Sequence, residues 1–205
     1  MSGRSQCIHP LAVRITHWIN AAAITAMIAS GWLIYNASPL FPFVFPSYMT
    51  LGGWLGGALA WHFAAMWLLA GNFTIYLGYG LITGHIRRRL FPFCPRDIWR
   101  DAMLALRCRL PHDGAHYNAV QRLLYVLAGC GIALAIVSGL AIWKPVQLYP
   151  LTALLGGYET ARRVHFLAMA GIAGFIVVHL VLVAIVPRTL PPMLTGRALH
   201  RAEGV

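Results

Sequence analysis

The sequence predicts an all-α integral membrane protein, built as a four-helix bundle, and three observations lead to this class. Of its 205 residues, 59% are hydrophobic and only 10% are charged, whereas a soluble domain averages about 25% charged residues. Its mean hydropathy is +0.68. Four apolar stretches can each cross a hydrocarbon core of about 30 Å, which takes about 20 helical residues. This composition excludes a disordered chain, a fibrous repeat and an ordinary soluble enzyme.

The four predicted spans cover about residues 15–35, 51–79, 123–143 and 164–186. They are predicted to be helices because the alternating pattern of a membrane β-barrel is absent from them. We expect a single transmembrane domain over residues 1–205. The first apolar run is longer than the usual signal-peptide core of about 7–15 residues, so a cleaved signal peptide is not expected.

The basic residues are distributed unevenly around these spans. Thirteen of the sixteen Lys and Arg residues precede span 1, lie between spans 2 and 3, or follow span 4. The other three are Lys144, Arg162 and Arg163. By the positive-inside rule, both termini and the long loop between spans 2 and 3 face the cytoplasm. The net charge of +11 therefore reflects topology and attraction to anionic lipid, and binding to nucleic acid is not expected.

Two loops have a distinctive composition. Residues 37–50, ASPLFPFVFPSYMT, carry three prolines and several aromatic residues but no charge. This composition suits an ordered interfacial segment or a docking surface for another subunit, and it equally suits an aromatic belt. The long loop over residues 80–116 contains a stretch, Pro95–Leu110, with helical character and arginines on one side. We expect it to form an amphipathic helix on the inner leaflet.

Four of the nine histidines lie inside apolar sequence, which is unusual because ionisable side chains are costly in lipid and are commonly functional there. They are His17, His62, His165 and His179. The other five fall outside the spans or at their edges, where we expect solvated or interfacial side chains: His9, His85, His112, His116 and His200. The four cysteines do not indicate a disulfide framework, since Cys7, Cys94 and Cys108 would face the reducing side and Cys130 lies in span 3.

Helical geometry arranges the four buried histidines in two pairs. His165 and His179 are 14 residues apart, which places them on nearly the same helix face and about 21 Å apart along the axis. Span 1 runs from inside to outside, so His17 matches the depth of His179. Span 2 runs the other way and places His62 about 15 Å below the outer surface, closer to the depth of His165.

Haem is the ligand that best suits two imidazoles on facing helices, because its iron takes two axial ligands in a large apolar slot. A zinc site would require four ligands, or three with an open position, and a proton relay would use carboxylates, which none of the four predicted spans contains. Small residues would let a porphyrin approach, although glycine is also common at plain helix contacts. The candidates are Gly31, Gly52, Gly53, Gly56, Gly57, Gly139, Gly171 and Gly174.

Three arginines lie close to these histidines. Arg162 and Arg163 stand just outside span 4, within a turn of His165, and Arg14 precedes His17 by three residues. They are candidates to pair with haem propionates, with lipid phosphate as the alternative partner.

Several short motifs resemble those of the bacterial di-haem cytochrome b561 family. They are RITHW (Arg14 to Trp18), WHF (Trp61 to Phe63) and VHF…VHL (Val164 to Leu180), within a resemblance that covers roughly residues 8–195. That family includes the membrane anchors of formate dehydrogenase, nickel–iron hydrogenase and thiosulfate reductase. The resemblance implies two non-covalent, bis-histidine haems b, held by His17 with His179 on the cytoplasmic side and by His62 with His165 on the periplasmic side.

The resemblance also implies electron transfer in a bacterial inner membrane, between a periplasmic redox partner and quinone. The outer segments LAIWKPVQL and GGYETAR resemble members that serve periplasmic molybdenum oxidoreductases, and the long loop between spans 2 and 3 departs from compact members. We expect electrons to enter at the outer haem and to reduce quinone near Asn118, Gln121 and Arg122, unless these three are plain interfacial residues. The alternatives are a stand-alone superoxide:ubiquinone oxidoreductase, with Lys144, Arg162 and Arg163 attracting the anion, and a haem-free transporter or assembly factor.

Overall fold

The computed structural model describes residues 10–84, 95–106, 119–187 and 190–196, and helices are the regular structure of all four ranges. Seven α-helices and one 3₁₀ turn, Ser47–Met49, occur in these ranges. In chain order the helices are α1 (Leu11–Ala37), α2 (Leu55–Ile82), α3 (Pro95–Leu106), α4 (Ala119–Trp143), α5 (Tyr149–Leu154), α6 (Tyr158–Ile185) and α7 (Leu190–Thr195).

Four of the described helices are long and apolar enough to cross a membrane. They are α1, α2, α6 and the part of α4 from Arg122 to Trp143. The prediction of an all-α protein with four membrane-crossing helices is therefore confirmed. The cytoplasmic placement of the termini and of the long loop, like the single domain over the whole chain, stays a prediction.

The chain divides into two compact units. The first consists of Met1–Thr83 with Leu182–Val205, and the second of Gly84–Val181. The first unit therefore holds α1, α2 and α7, and the second holds α3, α4, α5 and most of α6.

Glycines with positive φ set the starts of two membrane helices and move them from the predicted positions. Gly52 and Gly53 have φ values of 118° and 72°, so α2 begins at Leu55 instead of about residue 51. Gly156 and Gly157 have φ values of 82° and 93°, and α6 begins directly after them. It starts at Tyr158, about six residues earlier than expected. The first turn is polar, so it lies outside the apolar stretch from which the span was predicted.

The loop that follows α1 is ordered by hydrogen bonds and ring stacking. The side-chain amide of Asn36 donates to the carbonyl of Phe45 and accepts from its backbone N–H, both at 2.8 Å. The ring of Phe45 stacks on Trp32 with centroids 4.7 Å apart. Further along, the backbone N–H of Leu51 donates to the carbonyl of Ala29 at 3.0 Å. These contacts agree with an ordered segment, while the docking and aromatic-belt interpretations stay predictions.

A buried amide joins α1 to α2. Asn72 is 6% exposed, and its Nδ2 donates to the carbonyl of Thr16 and to the Oδ1 of Asn20, both at 2.7 Å. Polar contacts of this kind hold membrane helices together because the lipid offers no competing partner. The Thr16 carbonyl directly precedes His17, so Asn72 fixes the backbone of α1 beside a candidate ligand.

The predicted amphipathic stretch is helical over Pro95–Leu106, and its last residues, 107–110, lie outside the described part of the chain. Arg96 and Arg100 are exposed and, four residues apart, lie on one side of the helix. Arg100 pairs with Asp97 at 3.8 Å and with Asp101 at 3.4 Å. The helix is thus confirmed, and its position on the inner leaflet stays a prediction.

Candidate functional site

The four candidate histidines lie on three of the four long helices. His17 is on α1, His62 on α2, and His165 and His179 are both on α6. All four side chains are half-buried. His17 and His62 belong to the first unit, and His165 and His179 belong to the second.

The imidazole of His62 is held by two acceptors on α1. Its Nδ1 lies 3.2 Å from the carbonyl oxygen of Met27 and 3.1 Å from Oγ of Ser30. A carbonyl oxygen can only accept, so Nδ1 carries the proton. The Ser30 hydroxyl donates its own hydrogen to the carbonyl of Ala26 at 2.6 Å, and its oxygen therefore accepts from Nδ1. This tautomer places the ring's lone pair on Nε2.

The imidazole of His165 is held in the same way by α4. Its Nδ1 lies 2.9 Å from the carbonyl oxygen of Ala135 and 3.1 Å from Oγ of Ser138. The Ser138 hydroxyl donates to the carbonyl of Leu134 at 2.6 Å. By the same reasoning Nδ1 of His165 is protonated and Nε2 holds the lone pair. Two histidines 103 positions apart in sequence thus have one hydrogen-bonding pattern.

A glycine next to each serine lets the ring approach the helix. A Cβ at Gly31 would lie 3.4 Å from Cε1 of His62, and a Cβ at Gly139 would lie 3.1 Å from Cε1 of His165. Both glycines were expected to give room to a porphyrin. The structure places both glycines against the imidazole rings, where their small size makes room for His62 and His165, and the porphyrin interpretation of these two glycines stays a prediction.

The other candidate glycines separate into two groups. A Cβ at Gly52 would lie 2.3 Å from the backbone nitrogen of Ala58, and one at Gly56 would lie 2.3 Å from the ring of Trp54. Gly52, Gly53, Gly56 and Gly57 therefore serve the tight turn before α2 and the first turn of that helix. Gly171 and Gly174 line an apolar cavity of about 370 Å³ between α4 and α6, and for these two the porphyrin interpretation stays a prediction.

His17 and His179 contact aromatic rings. The His17 ring meets Trp18 edge to face at 5.3 Å between centroids. The His179 ring stacks on Phe175 at 6.0 Å. Phe175 also lines the apolar cavity, so His179 stands next to the wall of that space.

Two of the three candidate arginines, Arg14 and Arg162, have protein partners that the sequence did not indicate. Arg14 donates from Nε to the carbonyl of Met193 at 3.3 Å and from Nη2 to the carbonyl of Leu194. Trp18 also donates to Met193, at 3.3 Å, so α7 is attached to the start of α1. Arg162 pairs with Glu159 at 3.2 Å, and Arg163 is exposed. Their pairing with haem propionates stays a prediction.

The candidate quinone residues lie at the beginning of α4. Asn118 is outside the described residues, and Gln121 is in the helix without a described side chain. Arg122 is half-buried. The quinone interpretation of these three residues therefore stays a prediction.

The hydrogen bonding of these histidines suits them to act as ligands of haem iron. A haem-ligating histidine binds iron through one ring nitrogen and donates a hydrogen bond from the other, which fixes its tautomer and orientation. His62 and His165 have the hydrogen-bonding half of this arrangement, with Nδ1 held by acceptors of the neighbouring helix. Four membrane-crossing helices with imidazoles oriented in this way define a class of protein, the membrane cytochromes of the b type.

Comparison with known proteins agrees with this class. Residues 8–196 match the family model described as Prokaryotic cytochrome b561. The chain belongs to this family, and it is a multi-pass membrane electron carrier with four spans. Membership implies haem b as the cofactor.

Three relatives illustrate the range of the family. The chain is 50% identical over 197 residues to a putative protein-methionine-sulfoxide reductase subunit YedZ1 of Azospira oryzae, covering 96% of this chain and 100% of the relative. It is 23% identical to a probable Ni/Fe-hydrogenase B-type cytochrome subunit of Bradyrhizobium diazoefficiens, covering 84% and 75%. A protein of the same description from Cupriavidus necator is 24% identical, covering 84% and 76%.

Proposed function

We propose that this chain is a di-haem b-type cytochrome of a bacterial inner membrane that transfers electrons between quinone and a periplasmic oxidoreductase. His62 and His165 are the proposed axial ligands of the periplasmic-side haem. His17 and His179 are the proposed ligands of the cytoplasmic-side haem. When bound, haem b supplies a one-electron iron couple that can alternate between its ferric and ferrous states.

The observation that carries this proposal is the Nδ1 hydrogen bonding of His62 and His165. Each ring is held by a backbone carbonyl and a serine hydroxyl at Nδ1, which places the lone pair of the ring on Nε2. A histidine kept only for helix packing would not require the same tautomer in two separate places. Because an axial ligand must present one nitrogen in a fixed orientation, the arrangement favours iron binding.

The spacing on α6 supports two cofactor positions. His165 and His179 are 14 residues apart on one unbroken helix, so their Cα atoms are separated by about 21 Å along its axis. One helix thus supplies a ligand at each of two depths. Two cofactors at these depths would carry electrons across most of a hydrocarbon core of about 30 Å.

The relative from Azospira oryzae suggests the partner and the direction of transfer. Its name describes a subunit of a protein-methionine-sulfoxide reductase. We therefore propose that the partner is a periplasmic reductase of this type, in line with the molybdenum oxidoreductase that the resemblance implied. Two electrons and two protons convert methionine sulfoxide to methionine and water, so electrons would pass from quinol outward. This direction is opposite to the one that the sequence analysis expected.

Electron delivery from quinol tests this function. The purified chain in lipid nanodiscs is expected to show a reduced haem b spectrum when decylubiquinol is added without oxygen, because quinol is the proposed donor. Adding a periplasmic methionine-sulfoxide reductase from the same bacterium, with methionine sulfoxide, is expected to restore the oxidised spectrum. The reductase without the chain is the control, and it should not oxidise quinol.

Two results would contradict this proposal. Haem that stays oxidised in the presence of quinol would exclude the quinol-to-partner direction. Quinone reduction driven by superoxide alone, with no partner present, would favour the alternative of a superoxide:ubiquinone oxidoreductase.

A further inference from the structure

The surroundings of His62 and His165 are alike well beyond the histidines. A Ser–Gly pair on the preceding long helix faces each ring, Ser30–Gly31 in one case and Ser138–Gly139 in the other. The sequence after each ring is also shared, with HFAAM from His62 and HFLAM from His165. We call each Ser–Gly pair together with its histidine a ligand module.

Burial is matched between the two ligand modules. The serine is 0% exposed in both modules. The alanine four residues before each histidine, Ala58 or Ala161, is also 0% exposed. The alanine three residues after it is 6% exposed at Ala65 and 7% exposed at Ala168. The two modules are therefore alike in burial as well as in hydrogen bonding.

We propose that Ser30 and Ser138 are equivalent positioning residues that set the electron-donor strength and the ring orientation of the two axial ligands of one haem. This inference rests on the proposed function, in which His62 and His165 bind the same iron. It assigns to two serines a role in setting the reduction potential of that haem.

The direction of the effect follows from the hydrogen bonds. Each serine oxygen accepts from Nδ1–H while its own hydrogen goes to a carbonyl four residues earlier. An acceptor at Nδ1 increases the electron density of the imidazole, so Nε2 becomes a stronger donor to iron. A stronger donor stabilises ferric iron more than ferrous iron. The serines are therefore expected to lower the reduction potential of the haem.

The back-bond to the helix does not account for these serines. Serine and threonine in helices often donate to the carbonyl four residues earlier, and Thr25 does so on the same helix as Ser30, at 2.8 Å from Ala21. Thr25, however, is exposed and its hydroxyl bond is to its own helix, whereas Ser30 is fully buried against an imidazole of another helix. Contact with the histidine is what separates the two positions.

Alanine at either serine tests the role without removing the ligand. In Ser30→Ala, Nδ1 of His62 still has the Met27 carbonyl as its hydrogen-bond acceptor. In Ser138→Ala, Nδ1 of His165 still has the Ala135 carbonyl. We expect haem content to stay at the wild-type level in both variants. Loss of this hydrogen bond is expected to shift the reduction equilibrium by up to about tenfold, because only the part of its free energy that differs between ferric and ferrous haem contributes, and tenfold is about 59 mV for one electron.

The measurement is a spectroelectrochemical titration of the purified haem-loaded protein, with electron paramagnetic resonance of its ferric form. We expect both single variants to raise the potential of the same haem by similar amounts and to change its ferric g-values. The double variant should give the sum of the two shifts, and the other haem should be unaffected. Thr25→Ala, which removes a hydroxyl of the same helix, should leave both potentials and both sets of g-values unchanged.

The outcomes separate this inference from the proposed function. Wild-type protein without haem would overturn both. Wild-type protein with two haems, together with serine variants that keep haem but change neither potential nor g-values, would overturn the role of the serines alone. Shifts of equal size in Thr25→Ala would also overturn it. Shifts in two different haems would overturn the assignment of both ligand modules to one iron.

Discussion

Replacing His165 with alanine is expected to remove one haem from the protein and to leave the other in place. His165 is proposed to share the outer haem with His62, and iron that loses one of two axial ligands loses much of its binding energy. His17 and His179 are unchanged, so the inner haem should remain. We expect haem content to fall by about half, measured by the pyridine haemochrome assay per mole of chain. Quinol-dependent electron delivery to the periplasmic partner should be abolished.

Two further variants make this result specific. His179→Ala is expected to remove the inner haem and to leave the outer one, with its distinct potential. His9→Ala changes a histidine that the sequence places before the first span and should keep both haems. Loss of both haems from a folded His165→Ala protein would contradict independent sites, and retention of both would exclude His165 as a ligand.

Valine at Gly139 is expected to disrupt the same haem site without changing a ligand. A Cβ at this position would lie 3.1 Å from Cε1 of His165, and valine adds two methyl groups beyond that Cβ. The ring would have to turn away from its Nδ1 acceptors, Ala135 and Ser138. We expect the outer haem to be lost or to become high-spin, as seen in the absorption spectrum of the ferric protein.

The matched control is valine at Gly129, on the same helix. A Cβ there meets no atom within 4 Å, while the cost of a β-branched residue in the helix is the same at both positions. Gly129→Val should therefore keep both haems. The corresponding Gly31→Val change should act on His62 in the same direction but less strongly, because its Cβ would lie 3.4 Å from the ring. Equal haem loss in Gly129→Val would attribute the effect to the helix and contradict this account.

The helices that carry the histidines could be predicted from sequence because hydropathy and span length are strong signals in a membrane protein. Four ionisable side chains inside apolar stretches stand out for the same reason. Helix starts were less predictable. The turns before α2 and α6 depend on glycines with positive φ. The sequence around the first turn is uncharged, so hydropathy does not mark the start of α2, whereas α6 begins with a charged turn that lies outside the apolar stretch. The observed starts therefore differ from the predicted ones by about four residues at α2 and about six residues at α6.

The residues that support the histidines were missed because their sequence signal is weak when read one residue at a time. A serine in a membrane helix is common, and its usual partner is its own backbone. The repeated pattern could have revealed them, since Ser30–Gly31 and Ser138–Gly139 accompany HFAAM and HFLAM. The bonds of Arg14 to Met193 and Leu194 join positions almost at opposite ends of the chain, which no local pattern indicates.

The stoichiometry of haem in the purified protein tests the central claim most directly. The account predicts two non-covalent haems b per chain by the pyridine haemochrome assay, both low-spin in the ferric state because each iron has two imidazole ligands. One haem per chain, or a high-spin ferric spectrum in the wild-type protein, would contradict the paired assignment of His62 with His165 and of His17 with His179.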